Sequence, residues 1–273
     1  MNSKIAIIGA GFVGSSAAYA IPLAGIAREL VLIDIMKEKA AAEVLDINDG
    51  IQFMHDIKIK SGDMDAIADA DIIVITAGLA RKPGETRLDL IKKNTDIFKN
   101  SIIPELKKHY KGGIIFVVAN PVDILTYHVI KEMNLPKGKV FGAGTNLDTM
   151  RLVYRLSEIL GVSTKSINGY VLGEHGDSSF VTWNTMNVGG IKLDGNVKAF
   201  NHNFDQAEKE RIEKEMRAGG ATVIKGKGAT YYAIAISIVT ICKAVLFDEK
   251  LVLPVGIMMD GLYGVNDIVV SLP

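Results

Sequence analysis

One histidine of this chain stands in a setting suited to proton transfer. His175 lies within the glycine-flanked segment 173–177, directly after an apolar run at residues 170–172. The glycines let the backbone approach a small molecule, and an imidazole exchanges a proton near neutral pH. A histidine at a strand end can also be purely structural, so this segment alone leaves both interpretations open.

A carboxylate and a guanidinium occur together at Asp148 and Arg151, three residues apart in the pattern of an opening helical turn. Residues at this spacing share one helix face. A carboxylate beside an imidazole would orient it and favour its charged form, and a guanidinium can hold a substrate carboxylate through two parallel hydrogen bonds. The same spacing is typical of an ordinary surface ion pair, so it does not decide between the two.

The strongest local signal opens the chain, where an apolar run at residues 5–8 is followed by Gly9, Gly11 and Gly14 and then by a helical pattern. Glycine permits a tight turn close to a pyrophosphate, and a helix N-terminus favours an anion. Asp34 ends the next apolar run, where its carboxylate can accept hydrogen bonds from a ribose and repel a 2′-phosphate. These residues favour NAD over NADP; the alternative is a plain tight turn with Asp34 as a helix N-cap.

Two later apolar runs end in the small or polar segments 76–78 and 118–120. In open α/β sheets, ligands bind at the carboxyl ends of the strands. We therefore predict that four segments contact the cofactor. The predicted cofactor-binding residues are Gly9, Gly11, Phe12, Val13, Gly14, Asp34, Thr76, Ala77, Gly78, Val118 and Asn120.

The loop at residues 78–87 follows a buried run and precedes a long helical pattern, and it is rich in glycine, proline and charge. This composition suits a lid that brings an arginine onto a reacting carbonyl and excludes water. An ordinary exposed loop has the same composition.

The elements that position these residues alternate between short apolar runs and longer helical patterns. The runs do not alternate in polarity, as is typical of strands buried on both faces of a parallel sheet, and the helical stretches are long enough for crossovers. The fold class predicted is therefore α/β, with a doubly wound parallel sheet. Strands are predicted at residues 4–8, 29–34, 71–76 and 113–119, and helices at 12–25, 37–52 and 88–110.

The pattern changes after about residue 146. The charges between residues 205 and 218 predict a solvated helix face with the pairs Glu210–Lys214 and Glu213–Arg217. Helices are predicted at 147–161, 205–218 and 231–246, and strands at 166–172, 250–259 and 267–271.

Composition limits the class of protein. The 273 residues are 48% hydrophobic and carry 31 basic and 31 acidic side chains, so no charge excess points to nucleic acid. The single cysteine, Cys242, cannot form an internal disulfide and is predicted to be a buried, inert thiol in a core helix. We see no signal peptide and no membrane span, and we expect a cytoplasmic protein with no metal site.

These residues together make the chain resemble the L-lactate/malate dehydrogenase family over essentially its whole length. The motifs that carry the resemblance lie at residues 9–14, 77–89, 120–123, 147–151, 173–177 and 227–232. The resemblance implies a Rossmann NAD-binding domain at residues 1–145 and an α/β substrate domain at 146–273. It also implies reversible hydride exchange between NADH and a short 2-oxo acid, and a homodimer or homotetramer.

Roles follow from the resemblance position by position. His175 matches the proton donor and acceptor, and Asp148 matches its buried carboxylate partner. Arg151 matches the arginine that anchors the substrate carboxylate, and Arg87 matches the lid arginine that polarises the carbonyl. Asn120 would help to orient the substrate and the nicotinamide.

Substrate choice depends on Arg81 in this comparison. Malate dehydrogenases of the family carry arginine at this lid position, where it pairs with the second carboxylate of oxaloacetate, whereas typical lactate dehydrogenases carry glutamine. Thr230 and the surrounding motifs resemble the lactate enzymes instead. The arginine favours malate and oxaloacetate; the alternatives are lactate and pyruvate, a dual enzyme, or a non-catalytic NAD-binding protein.

Two departures from the family bear on regulation and on the end of the chain. Allosteric relatives bind fructose 1,6-bisphosphate through an arginine and a histidine at the positions of Val153 and Asn168 here. Neither residue supplies positive charge, so we expect no such activation. The family normally continues beyond Pro273 into a strand and a C-terminal helix, so we expect a truncation or an exposed apolar groove there.

Overall fold

The computed structural model describes residues 3–79 and 86–273. These residues form two compact units. The first unit contains the chain up to Ala143 and the segments Tyr231–Leu251 and Gly256–Val269. The second unit contains Gly144–Thr230, Val252–Val255 and Val270–Pro273. The division expected from the sequence, between residues 145 and 146, did not include this return of the chain to the first unit.

Strands and crossover helices alternate along most of the described residues up to 143, except that the third and fourth strands are joined by only a 3₁₀ turn at Met64–Ile67. The strands are β1 (Lys4–Ile8), β2 (Glu29–Ile33), β3 (Lys58–Gly62), β4 (Ile72–Ile75), β5 (Ile114–Val117) and β6 (Val140–Gly142). The helices are α1 (Phe12–Ala24), α2 (Lys37–Asp49), α3 (Arg87–Ile97), α4 (Ile103–His109) and α5 (Val122–Met133). A π-helical turn at Phe98–Ile102 joins α3 to α4, so the single helix predicted at residues 88–110 has an irregular middle.

The second unit is built from two long helices and short antiparallel strands. Its helices are α6 (Asn146–Leu160) and α7 (Gln206–Lys227). Its strands are β7 (Ile167–Asn168), β8 (Val171–Leu172), β9 (Phe180–Val181), β10 (Asn187–Val188), β11 (Ile191–Lys192), β12 (Gly195–Val197) and β13 (His202–Phe204). The strand predicted at 166–172 is broken into β7 and β8, because Gly169 between them has a φ of +151°. The buried core of this unit includes Leu152, Leu156, Val171, Phe204 and Met216.

After α7 the chain forms α8 (Tyr232–Leu246), β14 (Val255–Asp260) and β15 (Asn266–Leu272). Short 3₁₀ turns lie at Ile51–Phe53, Met64–Ile67, Thr164–Ser166, Lys198–Phe200 and Leu262–Gly264. Helix α8 packs along α1, which explains its return to the first unit. Cys242 on α8 is buried as predicted, and burial raises the pKa of its thiol to about 12. Across the described residues, 3–79 and 86–273, no helix is both long and apolar enough to cross a membrane.

The sheet of the first unit has the strand order β15-β14-β6-β5-β4-β1-β2-β3 among the described residues. Strands β1 to β6 pair in parallel, and β14 pairs antiparallel with β6. Every residue of β1 and β4 is buried, as expected of strands covered on both faces. The predicted α/β fold with a doubly wound parallel sheet is confirmed, and the sheet places the ends of β1, β2, β4 and β5 along one edge.

Candidate active site

The glycine-rich turn after β1 is fixed by close packing. Gly9 has a φ of +110°, and a Cβ added there would lie 2.6 Å from the backbone N of Ala77. A Cβ on Gly14 would lie 1.8 Å from the carbonyl oxygen of Gly9. No other residue type fits at these two positions, so the tight turn needs both glycines.

Gly11 differs from its neighbours because the space beside it is open. Among the described residues, apart from its chain neighbours and its own helix backbone, no atom lies within 4 Å of a Cβ built on Gly11, the N-cap residue of α1. Open space at a helix N-terminus, where backbone N–H groups are available, fits a pyrophosphate group. The ring of Phe12 is exposed and stacks on Tyr231, with centroids 5.2 Å apart and planes 22° apart. Sequence analysis missed this stack, because no local pattern connects residues so far apart.

Asp34 ties the end of β2 to the glycine-rich turn. Its Oδ2 accepts a hydrogen bond from the backbone N–H of Ala10 at 2.6 Å, and its Oδ1 accepts one from Met36 N–H at 2.8 Å. Met36 is the N-cap of α2, so Asp34 also serves the beginning of that helix. Each carboxylate oxygen can accept further hydrogen bonds, so these two bonds leave capacity for ribose hydroxyls.

The ends of β4 and β5 lie beside the same turn. Thr76 Oγ1 donates to the carbonyl of Gly9 at 3.0 Å, and the Ala77 N–H donates to Ile8 O at 2.9 Å. The Val118 N–H donates to Ile75 O at 2.9 Å, which keeps the end of β5 next to that of β4. Gly78 and the exposed Asn120 each lie three residues beyond the end of one of these strands. The sheet therefore brings the predicted cofactor-binding residues of the first unit together.

In the second unit, two threonines of the α6 region hold strand β8 in place. Thr149 Oγ1 accepts a hydrogen bond from Val171 N–H at 2.9 Å, and Thr145 Oγ1 donates to the Val171 carbonyl at 2.5 Å. Val171 is completely buried. These bonds fix the strand that leads into His175 against the first turns of the helix that carries Asp148.

Asp148, Arg151 and His175 form one hydrogen-bonded group. His175 Nδ1 lies 2.6 Å from Asp148 Oδ2, and Arg151 Nη1 donates to Asp148 Oδ1 at 3.1 Å. The side chains of Asp148, Arg151 and His175 are 10%, 20% and 25% exposed, so this is not a surface ion pair. With Asp148 ionised, Nδ1 carries the proton, and Nε2 is left as the nitrogen that can exchange one with a substrate.

The ionisation of Asp148 follows from these contacts. Burial by itself raises the pKa of the carboxyl, whereas the hydrogen bond from His175 and the charges of His175 and Arg151 lower it, and the net pKa lies below its usual value. The group therefore holds a carboxylate between two cationic or cation-forming side chains.

Helix α7 approaches the guanidinium of Arg151 through two glycines. A Cβ on Gly220 would lie 3.2 Å from Arg151 Nη2, and one on Gly219 would lie 3.8 Å from Arg151 Cδ. The predicted helix ended at residue 218, whereas α7 continues through both glycines to Lys227. Thr230, also predicted as a site residue, is half-buried just beyond the end of α7.

A second network joins α7 to the segment after His175. Arg217 Nη2 donates to the carbonyl of Ser179 at 2.6 Å and to Glu213 Oε2 at 2.7 Å. The indole N–H of Trp183 donates to Glu213 Oε1 at 2.8 Å. The sequence predicted the Glu213–Arg217 pair but placed it on a solvated face; the structure makes it part of a half-buried network. Glu210 accepts a hydrogen bond from Gln206 Nε2 at 2.7 Å, a contact that the predicted Glu210–Lys214 pairing did not include.

Part of the predicted lid lies beyond what the structure describes. Arg81 falls outside the described residues. Arg87 begins α3, whose N-cap Thr86 forms a capping box with Asp89, but the Arg87 side chain is also outside the described part. The positions of both arginine side chains therefore remain predictions.

Two family models match the chain. Residues 3–142 match the lactate/malate dehydrogenase NAD binding domain, and residues 145–273 match the lactate/malate dehydrogenase alpha/beta C-terminal domain. Among similar proteins, L-lactate dehydrogenase 1 of Clostridium acetobutylicum is 44% identical over 272 residues, which cover 100% of this chain and 87% of the relative.

Solved structures of lactate dehydrogenases have a similar fold. The minor L-lactate dehydrogenase of Enterococcus mundtii superposes with a TM-score of 0.94 at 40% identity, covering 100% of this chain and 86% of that one. A lactate dehydrogenase from a Medee basin deep-sea metagenome library superposes with a TM-score of 0.93 at 39% identity, covering 100% and 87%.

Proposed function

The chain belongs to the lactate/malate dehydrogenase family, and from that premise we propose that it is an L-lactate dehydrogenase, which interconverts lactate and pyruvate. It is an oxidoreductase that uses NAD. The observation that carries the proposal is the hydrogen-bonded group of Asp148, His175 and Arg151, in which one buried carboxylate orients an imidazole beside a guanidinium. This group supplies a proton for the carbonyl oxygen and a guanidinium that binds the substrate carboxylate. The reduction of a 2-oxo acid requires both.

NADH, when bound, would supply the hydride, and the residues of this chain bind and orient the substrate and exchange the proton. Gly11 and the N-terminus of α1 would hold the pyrophosphate, and Asp34 would accept hydrogen bonds from the adenosine ribose. Arg151 holds the substrate carboxylate through its guanidinium. His175 donates its proton from Nε2 to the carbonyl oxygen, and Asp148 stabilises the imidazolium before that transfer.

Two more residues enter this mechanism through the family resemblance. Arg87 polarises the substrate carbonyl, which places positive charge where the alkoxide develops. Asn120, exposed at the end of β5, orients the substrate and the nicotinamide. These two assignments rest on the matching motifs and not on a contact.

The relatives favour lactate over the malate preference that Arg81 suggested. The similar proteins named above are lactate dehydrogenases, and Thr230 together with the lactate-like motifs agrees with them. The expected preference for malate is therefore not supported. The arginine remains the one residue that argues for oxaloacetate, and it lies outside the described residues.

The experiment that tests this proposal compares kcat/KM for pyruvate and oxaloacetate with NADH, in the wild-type protein and in Arg81→Gln. We expect pyruvate to be preferred, and Arg81→Gln to raise that preference if the arginine faces the substrate. An oxaloacetate preference of about a hundredfold, about 2.7 kcal/mol of transition-state discrimination, would overturn the lactate assignment. A protein that binds NADH but reduces neither acid would be a non-catalytic member of the family.

We also propose a cytoplasmic homodimer or homotetramer that fructose 1,6-bisphosphate does not activate. The absence of positive charge at Val153 and Asn168 supports the last point. Sedimentation of the purified protein would give the subunit number, and assays at low pyruvate with and without the bisphosphate would reveal any activation.

A further inference from the structure

Asn94, on α3, is almost completely buried, with 1% of its surface exposed. Its Nδ2 donates to the carbonyl of Leu79 at 3.1 Å and to the carbonyl of Asn120 at 2.7 Å. Its Oδ1 accepts a hydrogen bond from the backbone N–H of Leu79 at 2.8 Å. One buried side chain thus joins the backbone that follows β4 to the backbone that follows β5.

The amide of Asn94 is matched to this position. It offers two donors and an acceptor, and the three backbone groups it meets are two acceptors and a donor. A buried amide is costly unless it is hydrogen-bonded, so this set of bonds defines one orientation of the side chain. Gly78 lies close against it, since a Cβ there would be 3.4 Å from Asn94 Nδ2.

The two segments that Asn94 joins carry proposed site residues. Thr76, Ala77 and Gly78 lie on one, and Val118 and Asn120 lie on the other. The backbone carbonyl of Asn120 is held by Asn94, while its side-chain Oδ1 accepts a hydrogen bond from Val122 N–H at 3.2 Å. The orientation of the exposed Asn120 side chain therefore depends on both the first residue of α5 and Asn94.

We propose that Asn94 is a positioning residue for substrate and nicotinamide binding: it fixes the spacing between the ends of β4 and β5 and thereby the placement of Asn120. This inference rests on the proposed function, because it assumes that Asn120 contacts the substrate and the cofactor. Its amide bonds backbone groups of both strand ends, so we assign it a role that acts through Asn120. Displacing an orienting group by about 1 Å is enough to weaken catalysis strongly.

The test uses Asn94→Asp, which keeps the size and the acceptor for Leu79 but removes both donors and faces two carbonyl oxygens. The readouts are the affinity of the enzyme–NADH complex for oxamate, a pyruvate analogue, and the separate values of kcat, KM and the NADH Kd. We expect oxamate affinity and kcat/KM for pyruvate to fall on the order of tenfold. We expect the NADH Kd to change less than about threefold, because the contacts at Gly11 and Asp34 are intact.

Asn48→Asp is the matched control. Asn48 Nδ2 also donates to a backbone carbonyl of the first unit, that of Ile59 at 3.2 Å, but it lies at the β3 edge of the sheet. We expect this variant to lose stability without a change in oxamate affinity. Should Asn94→Asp not fold, Asn94→Ser, which keeps one small hydroxyl donor, carries the same expectation.

The outcomes separate the inference from the proposed function. If an Asn94 variant lowers only the thermal midpoint and keeps oxamate affinity and kcat/KM within twofold, Asn94 is merely structural and the inference is wrong. If the wild-type protein reduces no 2-oxo acid and forms no oxamate complex, the proposed function fails instead, whatever the variants do.

Discussion

His175 Nδ1 and Asp148 Oδ2 lie 2.6 Å apart, although the two residues are 27 positions apart in the chain and belong to different elements. The other oxygen of Asp148 accepts a hydrogen bond from Arg151. One carboxylate therefore sets the orientation of both the imidazole and the guanidinium. Loss of the Asp148 carboxylate should therefore impair both proton transfer by His175 and substrate binding by Arg151.

Replacing Asp148 by Asn keeps the shape but removes the charge. We expect kcat for pyruvate reduction to fall at least about tenfold, because the imidazolium loses its counter-charge and its fixed orientation. The alkaline limb of the kcat/KM profile should move to lower pH, since the charged imidazole is less favoured. Rate measurements across pH would check both effects; an unshifted limb would show that the Asp148 charge does not reach the reacting proton.

Asp148 should also contribute to acid stability. Its pKa is lowered in the folded protein: burial opposes ionisation, but the contacts with His175 and Arg151 outweigh it. A lowered pKa adds stability above the unfolded value of about 3.9, and that contribution is lost as pH falls through the folded value. The difference in urea midpoint between wild type and Asp148→Asn should therefore narrow below about pH 4. A constant difference would mean that this carboxyl is not linked to unfolding.

Gly220→Ala should separate stability from substrate binding. Alanine favours a helix by about 1 kcal/mol over glycine, so α7 should not be destabilised. The added methyl, however, would lie 3.2 Å from Arg151 Nη2 and displace the guanidinium. We expect a several-fold higher KM for pyruvate with an equal or higher thermal midpoint.

The matched control for this change is Gly226→Ala. Gly226 lies on the same helix, and in the part of the chain that the structure describes no atom outside the helix backbone is within 4 Å of a Cβ built there. It should gain the helix stabilisation and keep the KM of the wild type. If both variants keep that KM, Arg151 does not need its close contact with α7.

Arg217 should influence the His175 segment through Ser179. Arg217→Leu removes the hydrogen bond to the Ser179 carbonyl and leaves Glu213 with only Trp183 from this network. We expect kcat/KM to fall several-fold, because the segment after His175 loses a hydrogen bond that holds its backbone in place. Arg211→Leu, on the same helix but with a half-exposed side chain paired to Glu208 and Glu215, should change kcat/KM little. Equal effects of the two substitutions would argue against a link to His175.

Asp34→Ser should loosen cofactor selection. The change removes the acceptor for Ala10 N–H and the charge that repels a 2′-phosphate. We expect a higher Kd for NADH. We also expect a smaller ratio of kcat/KM with NADH to kcat/KM with NADPH. Asp46→Ser, at an exposed position on α2, is the control. An unchanged NADH preference would show that Asp34 serves only the turn and the helix.

Local patterns were enough to predict the parallel sheet and the glycine-rich turn. The apolar runs at β1, β4 and β5 are continuous because both faces are covered, so they stand out in sequence. Strand β3 was missed because its sequence, Lys58 to Gly62, is mostly polar and lies at the edge of the sheet. The break at Gly169 and the continuation of α7 through its two glycines were missed as well, since tertiary contacts outweigh local propensity at both places.

The sequence by itself determined the family, the fold class, the use of NAD and the identity of the residues around His175, because motifs of neighbouring residues record these properties. Only the tertiary structure decided that Asn94 joins two strand ends, that Gly220 lies against Arg151 and that Arg217 holds the Ser179 carbonyl. Each of these contacts joins residues that are distant along the chain. No periodicity encodes such a contact, because its geometry arises only when separate elements pack and their buried polar groups must find partners.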